Sequence, residues 1–312
     1  MGAPGTVPRP LAGEPGARPV LLPGRRIRTP GGGRAPREGG AALAQPVNPG
    51  RPGEGSPAAR VFVLPDTEAL ARAVAGRLWG IARERAEAGP AHIALSGGDT
   101  PRDAYAALSA EPYRERFPWS AVHFWQVDER LVPPGDPRSN RRMIETVLLS
   151  RAPAPKGNFH GIDPSLPDPS SIAAAYEKEL LRAGPRGRGT VPRLDAVVLG
   201  IGADGHTASI FPGAGSAVDG ERLVVPAEGG DPPVPRVTMS LRLLNAAARI
   251  LFVARGEEKA EIVRDVVAAA TGAANRDPAL PATLVAPRGG TVVFLVDGEA
   301  SRLLPPRLRG AG

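Results

Sequence analysis

Residues 194–213 read LDAVVLGIGADGHTASIFPG, and this stretch decides the fold class. Its first half is a run of branched apolar residues, which is typical of a strand in a parallel sheet that is covered on both faces. The run ends at Gly200 and Gly202, and a short loop then presents Asp204 and His206. In open parallel sheets, ligands bind beyond the carboxyl ends of the strands. The stretch therefore predicts a buried strand that leads into a functional loop bearing an imidazole.

Strand-like and helix-like segments alternate along the chain. Short apolar runs predict strands at 60–64, 91–95, 121–127, 194–201, 237–241, 249–253 and 291–296. Apolar residues at helical spacing and capping signals predict helices near 67–88, 139–150, 170–182 and 256–270. Proline-rich pieces are predicted loops at 131–137, 151–168 and 227–235. The alternation predicts an α/β domain with a largely parallel sheet and helices on both faces.

The first 60 residues differ from the rest, because 25 of them are Gly or Pro. Such a segment cannot bury enough apolar surface to offset the entropy of ordering it. We expect residues 1–58 to be a disordered tail, 59–302 to form one α/β domain and 303–312 to be a C-terminal extension. Residues 1–60 carry nine Arg and three Glu, and so supply +6 of the formal net charge of +7. Nucleic-acid binding is therefore an alternative for the tail alone, and a solvated extension is the favoured interpretation.

Composition excludes several classes of protein. The chain has no cysteine, so disulfides and thiolate catalysis are excluded. No apolar run approaches the ~18–20 residues of a membrane span, and the N-terminus lacks the apolar core of a secretory signal. We expect a cytoplasmic protein with no membrane partner. The sequence does not determine the oligomeric state, and a monomer is favoured.

Three predicted strands end in polar motifs. These are Ser96-Gly-Gly-Asp-Thr-Pro101, Asp128-Glu-Arg130 and Asp204-Gly-His206. Because the carboxyl ends of parallel strands meet at one edge of a sheet, we expect the three motifs to be neighbours in space.

The first of these motifs has the character of an anion cradle. Gly97 and Gly98 let the backbone approach a ligand and direct N–H groups at it. Thr100 is a predicted helix cap and Pro101 fits the first helical position. A helix that begins beside Ser96 favours a bound phosphate at its N-terminus. A simple capped turn is the alternative interpretation of this motif.

Two cations are candidates for holding such an anion. Lys259 is one of only three lysines in a chain with 36 arginines, and a lysine kept in this setting suggests that a compact ammonium is needed, as on a phosphate. Arg236, just before a predicted strand, is the second candidate. For both residues a solvated surface position is the alternative.

The histidines divide into two groups. His92 and His123 lie in predicted strands and His160 in a predicted loop, which favours structural roles. His206 follows a strand end, and Asp204 lies two residues before it. An imidazole in this position can take up a proton near neutral pH, and the carboxylate can orient it. We expect His206 to be a general base.

The sequence around this histidine does not indicate a metal site or a serine nucleophile. No second His or Cys lies at metal-ligand spacing, so no metal site is expected. Ser96 and Ser209 lack the context of a nucleophile elbow, so a covalent serine mechanism is not expected.

Together these motifs resemble the glucosamine-6-phosphate isomerase/6-phosphogluconolactonase family, and within it the lactonase branch. The resemblance covers about residues 61–297, and the glycine/histidine block is its most specific part. The matching pieces, in the order of the family, are Leu95–Pro101, Phe124–Arg130, Ser139–Met143, Gly200–Gly213, Arg236–Ser240, Gly256–Ala260 and Leu280–Ala282.

The resemblance implies a Rossmann-like fold and hydrolysis of a small phosphosugar lactone, 6-phosphogluconolactone, without a metal or an organic cofactor. His206 would deprotonate water, Asp204 would orient His206, and Arg130 or loop N–H groups would stabilise the oxyanion. The residues expected to bind the substrate and its phosphate are Ser96, Gly97, Gly98, Thr100, Asp128, Asn140, Arg236 and Lys259.

Two alternatives to the lactonase stay open at this point. The isomerase/deaminase branch needs a carboxylate five residues after the histidine, where this chain has Phe211, and it does not usually carry the ending seen at Asp128–Arg130. A sugar-phosphate-sensing domain of a DNA-binding regulator would require a helix-turn-helix, and residues 1–60 are too rich in Gly and Pro to form one.

Overall fold

The computed structural model describes residues 58–309, except 188, 190, 231 and 232. The predicted tail lies outside this part of the chain apart from Ala58, and so do residues 310–312. Leu304 and Leu308, in the predicted C-terminal extension, are buried in the core. The boundaries of tail, domain and extension stay predictions. Within the described part, no helix is both long and apolar enough to cross a bilayer.

Seven strands pair in parallel and form the main sheet. The strands of the structure are β1 Ala58–Leu64, β2 Ala91–Leu95, β3 Val122–Gln126, β4 Asp128–Arg130, β5 Phe159–His160, β6 Ala196–Gly200, β7 Val224–Gly229, β8 Val234–Met239, β9 Arg249–Ala254 and β10 Thr291–Asp297. The order in the main sheet is β1-β10-β9-β6-β2-β3-β5. Six of the seven predicted strands lie in this sheet, with ends within two residues of the predicted ones, and β5 is an addition. The seventh, predicted at 237–241, corresponds to β8 and lies in a second sheet.

Helices cover both faces of this sheet. They are α1 Thr67–Ala86, α2 Asp99–Leu108, α3 Tyr113–Arg116, α4 Asn140–Ile144, α5 Pro169–Ala183, α6 Gly215–Asp219, α7 Leu241–Leu244, α8 Ala260–Ala270 and α9 Pro306–Arg309. Strand β10 divides its side chains between two cores: Val292, Phe294 and Val296 pack with α5, α7 and α8, whereas Val293 and Leu295 pack with α1 and α2. The prediction of an α/β fold with a largely parallel sheet and helices on both faces is confirmed.

A second, antiparallel sheet has the order β4-β8-β7. The sequence analysis was wrong here, because it took Asp128–Arg130 as the end of the third strand and 227–235 as a loop. The chain instead leaves the main sheet at Val127, and Arg130 then pairs with Arg236 across the small sheet. A polar strand of three residues has no periodicity to reveal it, and its partner lies about a hundred residues away along the chain.

The start of α2 also differs from the prediction. The helix begins at Asp99, so Pro101 is its third residue and Thr100 is not the cap. The residue before the helix is Gly98, with φ of 103° and no side chain to cap with. Glycine adopts this conformation without steric cost, so the backbone alone turns the chain into the helix.

Three histidines form a stacked cluster near the amino ends of β2 and β3, beside β5. The rings of His92 and His123 stack with centroids 5.0 Å apart, and Nδ1 of His123 lies 2.9 Å from Nε2 of His160. Nδ1 of His92 accepts a hydrogen bond from the Trp125 indole at 3.1 Å. Burial, and then the neighbouring His123 and His160, lower the pKa of His92 to about 4. The structural role predicted for these histidines agrees with this arrangement.

We expect the free energy of unfolding to decrease as the pH falls from about 6.5 to about 4. Between these values the unfolded chain binds a proton at His92 and the folded protein does not, so each step down in pH favours unfolding. The complete effect of a shift of this size is roughly 3 kcal/mol. Urea unfolding at several pH values tests this. His92→Asn, whose carbonyl can replace Nδ1 as acceptor, should flatten the dependence in part, since burial also lowers the pKa of His123 and His160. An equal slope in the variant would contradict the assignment.

Candidate active site

A cavity of about 440 Å³ opens at the carboxyl ends of β2, β6 and β9, beside the small sheet. Of the eleven residues predicted to form a site, ten line it, and Asp204 lies behind His206. The ten are Ser96, Gly97, Gly98, Thr100, Asp128, Arg130, Asn140, His206, Arg236 and Lys259. The structure thus brings together residues that are up to 163 positions apart in sequence, from Ser96 to Lys259.

The imidazole of His206 is held by Asp204. Oδ1 of Asp204 lies 2.5 Å from Nδ1 of His206 and also accepts its main-chain N–H at 3.1 Å. Because an ionised carboxylate only accepts hydrogen bonds, Nδ1 carries the proton and the lone pair of the neutral ring is on Nε2. Partial burial opposes ionisation of Asp204, but these hydrogen bonds from His206 outweigh it and lower the pKa of the carboxyl below its usual value.

Gly202 allows this close approach. A Cβ at position 202 would lie 2.1 Å from Nδ1 of His206 and 2.4 Å from Oδ1 of Asp204, so no other residue fits without moving the pair. The tight turn is closed by a hydrogen bond from Gly202 N–H to the carbonyl of His206 at 2.8 Å. The glycine noticed in the sequence is therefore required by the geometry of the His-Asp pair.

The ring of Phe211 packs against the imidazole of His206. The ring centroids of His206 and Phe211 are 4.6 Å apart, and the guanidinium of Arg236 lies 5.2 Å from the centre of the Phe211 ring. The sequence analysis used Phe211 only to weigh the deaminase alternative and missed this contact. Its position in the glycine/histidine block was the available signal.

The Ser96 loop forms another wall of the cavity. Oγ of Ser96 is buried and has no hydrogen-bond partner among the described residues, and the Ser96 carbonyl accepts from the Tyr105 hydroxyl at 3.0 Å. Gly97 lies directly against Asn140: a Cβ on Gly97 would be 1.8 Å from Oδ1 of Asn140. The N-terminus of α2 completes this wall, and a helix N-terminus favours an anion.

Four cations line the cavity. Arg255 forms an ion pair with Asp103, whereas Arg130, Arg236 and Lys259 form no ion pair within the described part of the chain. Arg130 donates to the carbonyl of Arg138 at 2.7 Å, while its Nε is buried without an acceptor. Arg236 donates to the carbonyl of Gly229 at 3.0 Å. Burial and then the charge of Arg130 lower the pKa of Arg236, which the carboxylates of the site partly offset. Lys259 is the last of these three. The arrangement concentrates positive charge that an anionic ligand would neutralise.

A buried hydrogen-bonded group at the cavity joins β4 to α4 and to the loop after β6. Oδ2 of Asp128 accepts from the Ser209 hydroxyl at 2.6 Å, and Oδ1 accepts from Nδ2 of Asn140 at 3.2 Å. Ser209 is fully buried, and its main-chain N–H donates to Oγ1 of Thr238 at 3.2 Å. The sequence analysis weighed Ser209 only as a nucleophile and missed that it anchors Asp128.

The chain is similar to proteins of known sequence and structure. A family model described as glucosamine-6-phosphate isomerases/6-phosphogluconolactonase matches residues 65–294. The 6-phosphogluconolactonase of Synechocystis sp. is 34% identical over 227 residues, which are 72% of this chain and 90% of the relative. That of Haemophilus influenzae is 35% identical over 215 residues, 69% of this chain and 88% of the relative. The solved structure of 6-phosphogluconolactonase from Trypanosoma brucei is 31% identical, superposes with a TM-score of 0.68 and covers 78% of this chain and 98% of its own.

Proposed function

Because the chain belongs to the family of glucosamine-6-phosphate isomerases and 6-phosphogluconolactonases, we infer that it hydrolyses 6-phospho-D-glucono-1,5-lactone to 6-phosphogluconate. This is a step of the oxidative pentose phosphate pathway. The observation that carries the inference is the cavity in which the His206-Asp204 pair faces three cations without ion pairs. A cavity that holds both a base and an anion site suits a substrate that carries both an ester and a phosphate.

The base would act on water. Nε2 of His206 takes a proton from a water molecule, and the resulting hydroxide adds to the lactone carbonyl carbon. The ring oxygen then leaves as the C–O bond breaks and receives the proton back from His206, which gives the open-chain acid. Asp204 stabilises the imidazolium that forms between the two steps. A lactone is an activated ester, so this sequence needs no covalent nucleophile.

The negative charge on the carbonyl oxygen of the tetrahedral intermediate needs a hydrogen-bond donor to stabilise it. Arg130 is our candidate, because it lines the cavity and its Nε is buried without an acceptor among the described residues. A guanidinium held in place by the Arg138 carbonyl costs little reorganisation when charge develops in the transition state. The free N–H groups of the Ser96 loop are the other candidates for this role.

The phosphate would lie at the start of α2. Its ligands in this proposal are the Ser96 hydroxyl, the main-chain N–H groups of Gly97 to Thr100, and the side chains of Arg236 and Lys259. A phosphate would give the Ser96 hydroxyl a partner and would neutralise two cations at once. Asp128 and Asn140 would then face the sugar hydroxyls.

The deaminase alternative is not favoured by the site. The position that would carry its carboxylate holds Phe211, whose ring packs on His206. No carboxylate can reach the imidazole from that position. A cytoplasmic location, a monomeric state and the absence of a metal or cofactor stay part of the proposal as predictions.

Purified protein should accelerate the hydrolysis of 6-phosphogluconolactone above its spontaneous rate and leave glucosamine 6-phosphate unchanged. The lactone reaction is followed by acid release, and the amino sugar by release of ammonia. We expect EDTA to have no effect, because His206 alone generates the nucleophile. Release of ammonia would overturn the assignment to the lactonase branch, and loss of activity in EDTA would overturn the metal-free mechanism.

A further inference from the structure

Glu129 lies between Asp128 and Arg130 in sequence, but unlike them it does not line the cavity. Its side chain is buried, with 1% of the residue exposed, and it forms no ion pair within the described part of the chain. Five donors reach its two oxygens: Arg130 N at 2.7 Å and Asn140 N at 2.8 Å on Oε1, and Arg141 N at 2.7 Å, Gln126 Nε2 at 3.0 Å and Ser139 Oγ at 3.1 Å on Oε2.

We propose that Glu129 is a positioning residue, which joins β4 to the first turn of α4 and so sets the places of Asp128, Arg130 and Asn140 for the reaction. This inference rests on the proposed lactonase function. One oxygen of the carboxylate receives N–H groups from both elements, Arg130 of β4 and Asn140 of α4. The distance between the two elements is therefore fixed at a single atom.

The position requires a side chain that only accepts hydrogen bonds. All five partners donate: three are main-chain N–H groups, and the Ser139 hydroxyl already accepts from Arg142 N at 3.1 Å, which leaves its proton for Glu129. The orientation of the Gln126 amide is also fixed, because its Oε1 accepts from Ile162 N at 2.8 Å and its Nε2 is therefore the atom that faces Glu129. An amide in place of the carboxylate would turn an NH₂ group towards donors that have no other acceptor, and leaving buried donors unsatisfied is costly.

The consequence for the reaction passes through Asn140. Its side chain donates to the carbonyl of Asp128 at 3.0 Å and to the Asp128 carboxylate, and it lies against Gly97 of the Ser96 loop. Moving the start of α4 would therefore displace groups on two walls of the cavity. Small misplacements of groups that contact a substrate can cost on the order of 10²-fold in rate.

The test is Glu129→Gln, with Glu177→Gln as the matched control. Glu177 is another carboxylate that holds main-chain N–H groups, those of Leu223 at 2.8 Å and Val224 at 3.0 Å, but it lines no part of the cavity. Both variants should lose thermal stability. At a temperature where circular dichroism shows each variant folded, we expect kcat/KM for 6-phosphogluconolactone to fall about tenfold or more in Glu129→Gln, mainly through kcat, and to stay within about twofold of wild type in Glu177→Gln.

A second variant covers the case in which Glu129→Gln does not fold. Glu129→Asp keeps the charge, but it is one methylene shorter and cannot reach Arg130 and Arg141 together. It should fold and show an intermediate loss of kcat/KM. Wild-type kcat/KM in either folded variant, or an equal loss in Glu177→Gln, would overturn the positioning role. A wild-type protein that does not hydrolyse the lactone would overturn the proposed function and this role with it, whereas an active wild type with unaffected Glu129 variants would overturn this role alone.

Discussion

Replacing His206 with alanine should lower kcat for 6-phosphogluconolactone by about 10²- to 10⁴-fold, the usual contribution of a positioned general base. The Asp204 carboxylate determines which nitrogen of the His206 imidazole is unprotonated, because its Oδ1 lies 2.5 Å from Nδ1 and leaves Nε2 as the base. Alanine removes the base and leaves the cations in place. KM should therefore change little. Initial rates at saturating lactone, corrected for spontaneous hydrolysis, measure the effect.

His160→Ala is the matched control for this variant. His160 also pairs with a carboxylate, since its Nδ1 lies 3.1 Å from Oε1 of Glu179, but it does not line the cavity. Its ring stacks on Trp125 at 3.8 Å, so its loss should lower the melting temperature and leave kcat near the wild-type value. Activity of His206→Ala within a few-fold of wild type would mean that another group is the base.

Removing either cation of the proposed phosphate site should weaken substrate binding by about 10- to 150-fold, because a hydrogen bond to a charged group contributes roughly 1.5–3 kcal/mol. The variants are Lys259→Ala and Arg236→Ala, and KM for 6-phosphogluconolactone is the measured quantity. D-glucono-1,5-lactone, which has no phosphate, should be a poor substrate of the wild type and should be little affected by Lys259→Ala. Arg264→Ala is a control, since Arg264 pairs with Asp265 on the surface at 2.7 Å.

The two cation variants should differ in one respect. Arg236 lies over the ring of Phe211, and that ring packs on His206, so Arg236→Ala should also lower kcat. Lys259 has no such contact with the base, and its loss should act on KM alone. If both variants lose activity equally on the phosphorylated and the unphosphorylated lactone, these residues support the fold and do not bind phosphate.

The residues of the site could be found from the sequence where they lie at the ends of predictable strands. The loops after β2 and β6 follow buried apolar runs, and their glycines mark the places where the backbone turns or comes close to a neighbour. Glu129, Ser209 and Phe211 could not be found in this way. Glu129 and Ser209 act on residues of other elements, and a buried carboxylate among hydrogen-bond donors has the same sequence signature as a solvated one. Phe211 lies in the same loop as His206, but the sequence does not show that the two rings pack together.

By itself, the sequence determined the α/β class, the alternation of strands and helices that implies a largely parallel sheet, and the presence of His206 and Asp204 at a strand end. These follow from local physics: apolar periodicity, the need to cover both faces of a parallel sheet, and the conformational freedom of glycine. Only the tertiary structure decided that Asp128–Arg130 leaves the main sheet and pairs with β8, which places Arg130 beside Arg236. That pairing depends on main-chain hydrogen bonds between segments about a hundred residues apart. Such bonds are available to every residue type, so no local pattern of side chains encodes them.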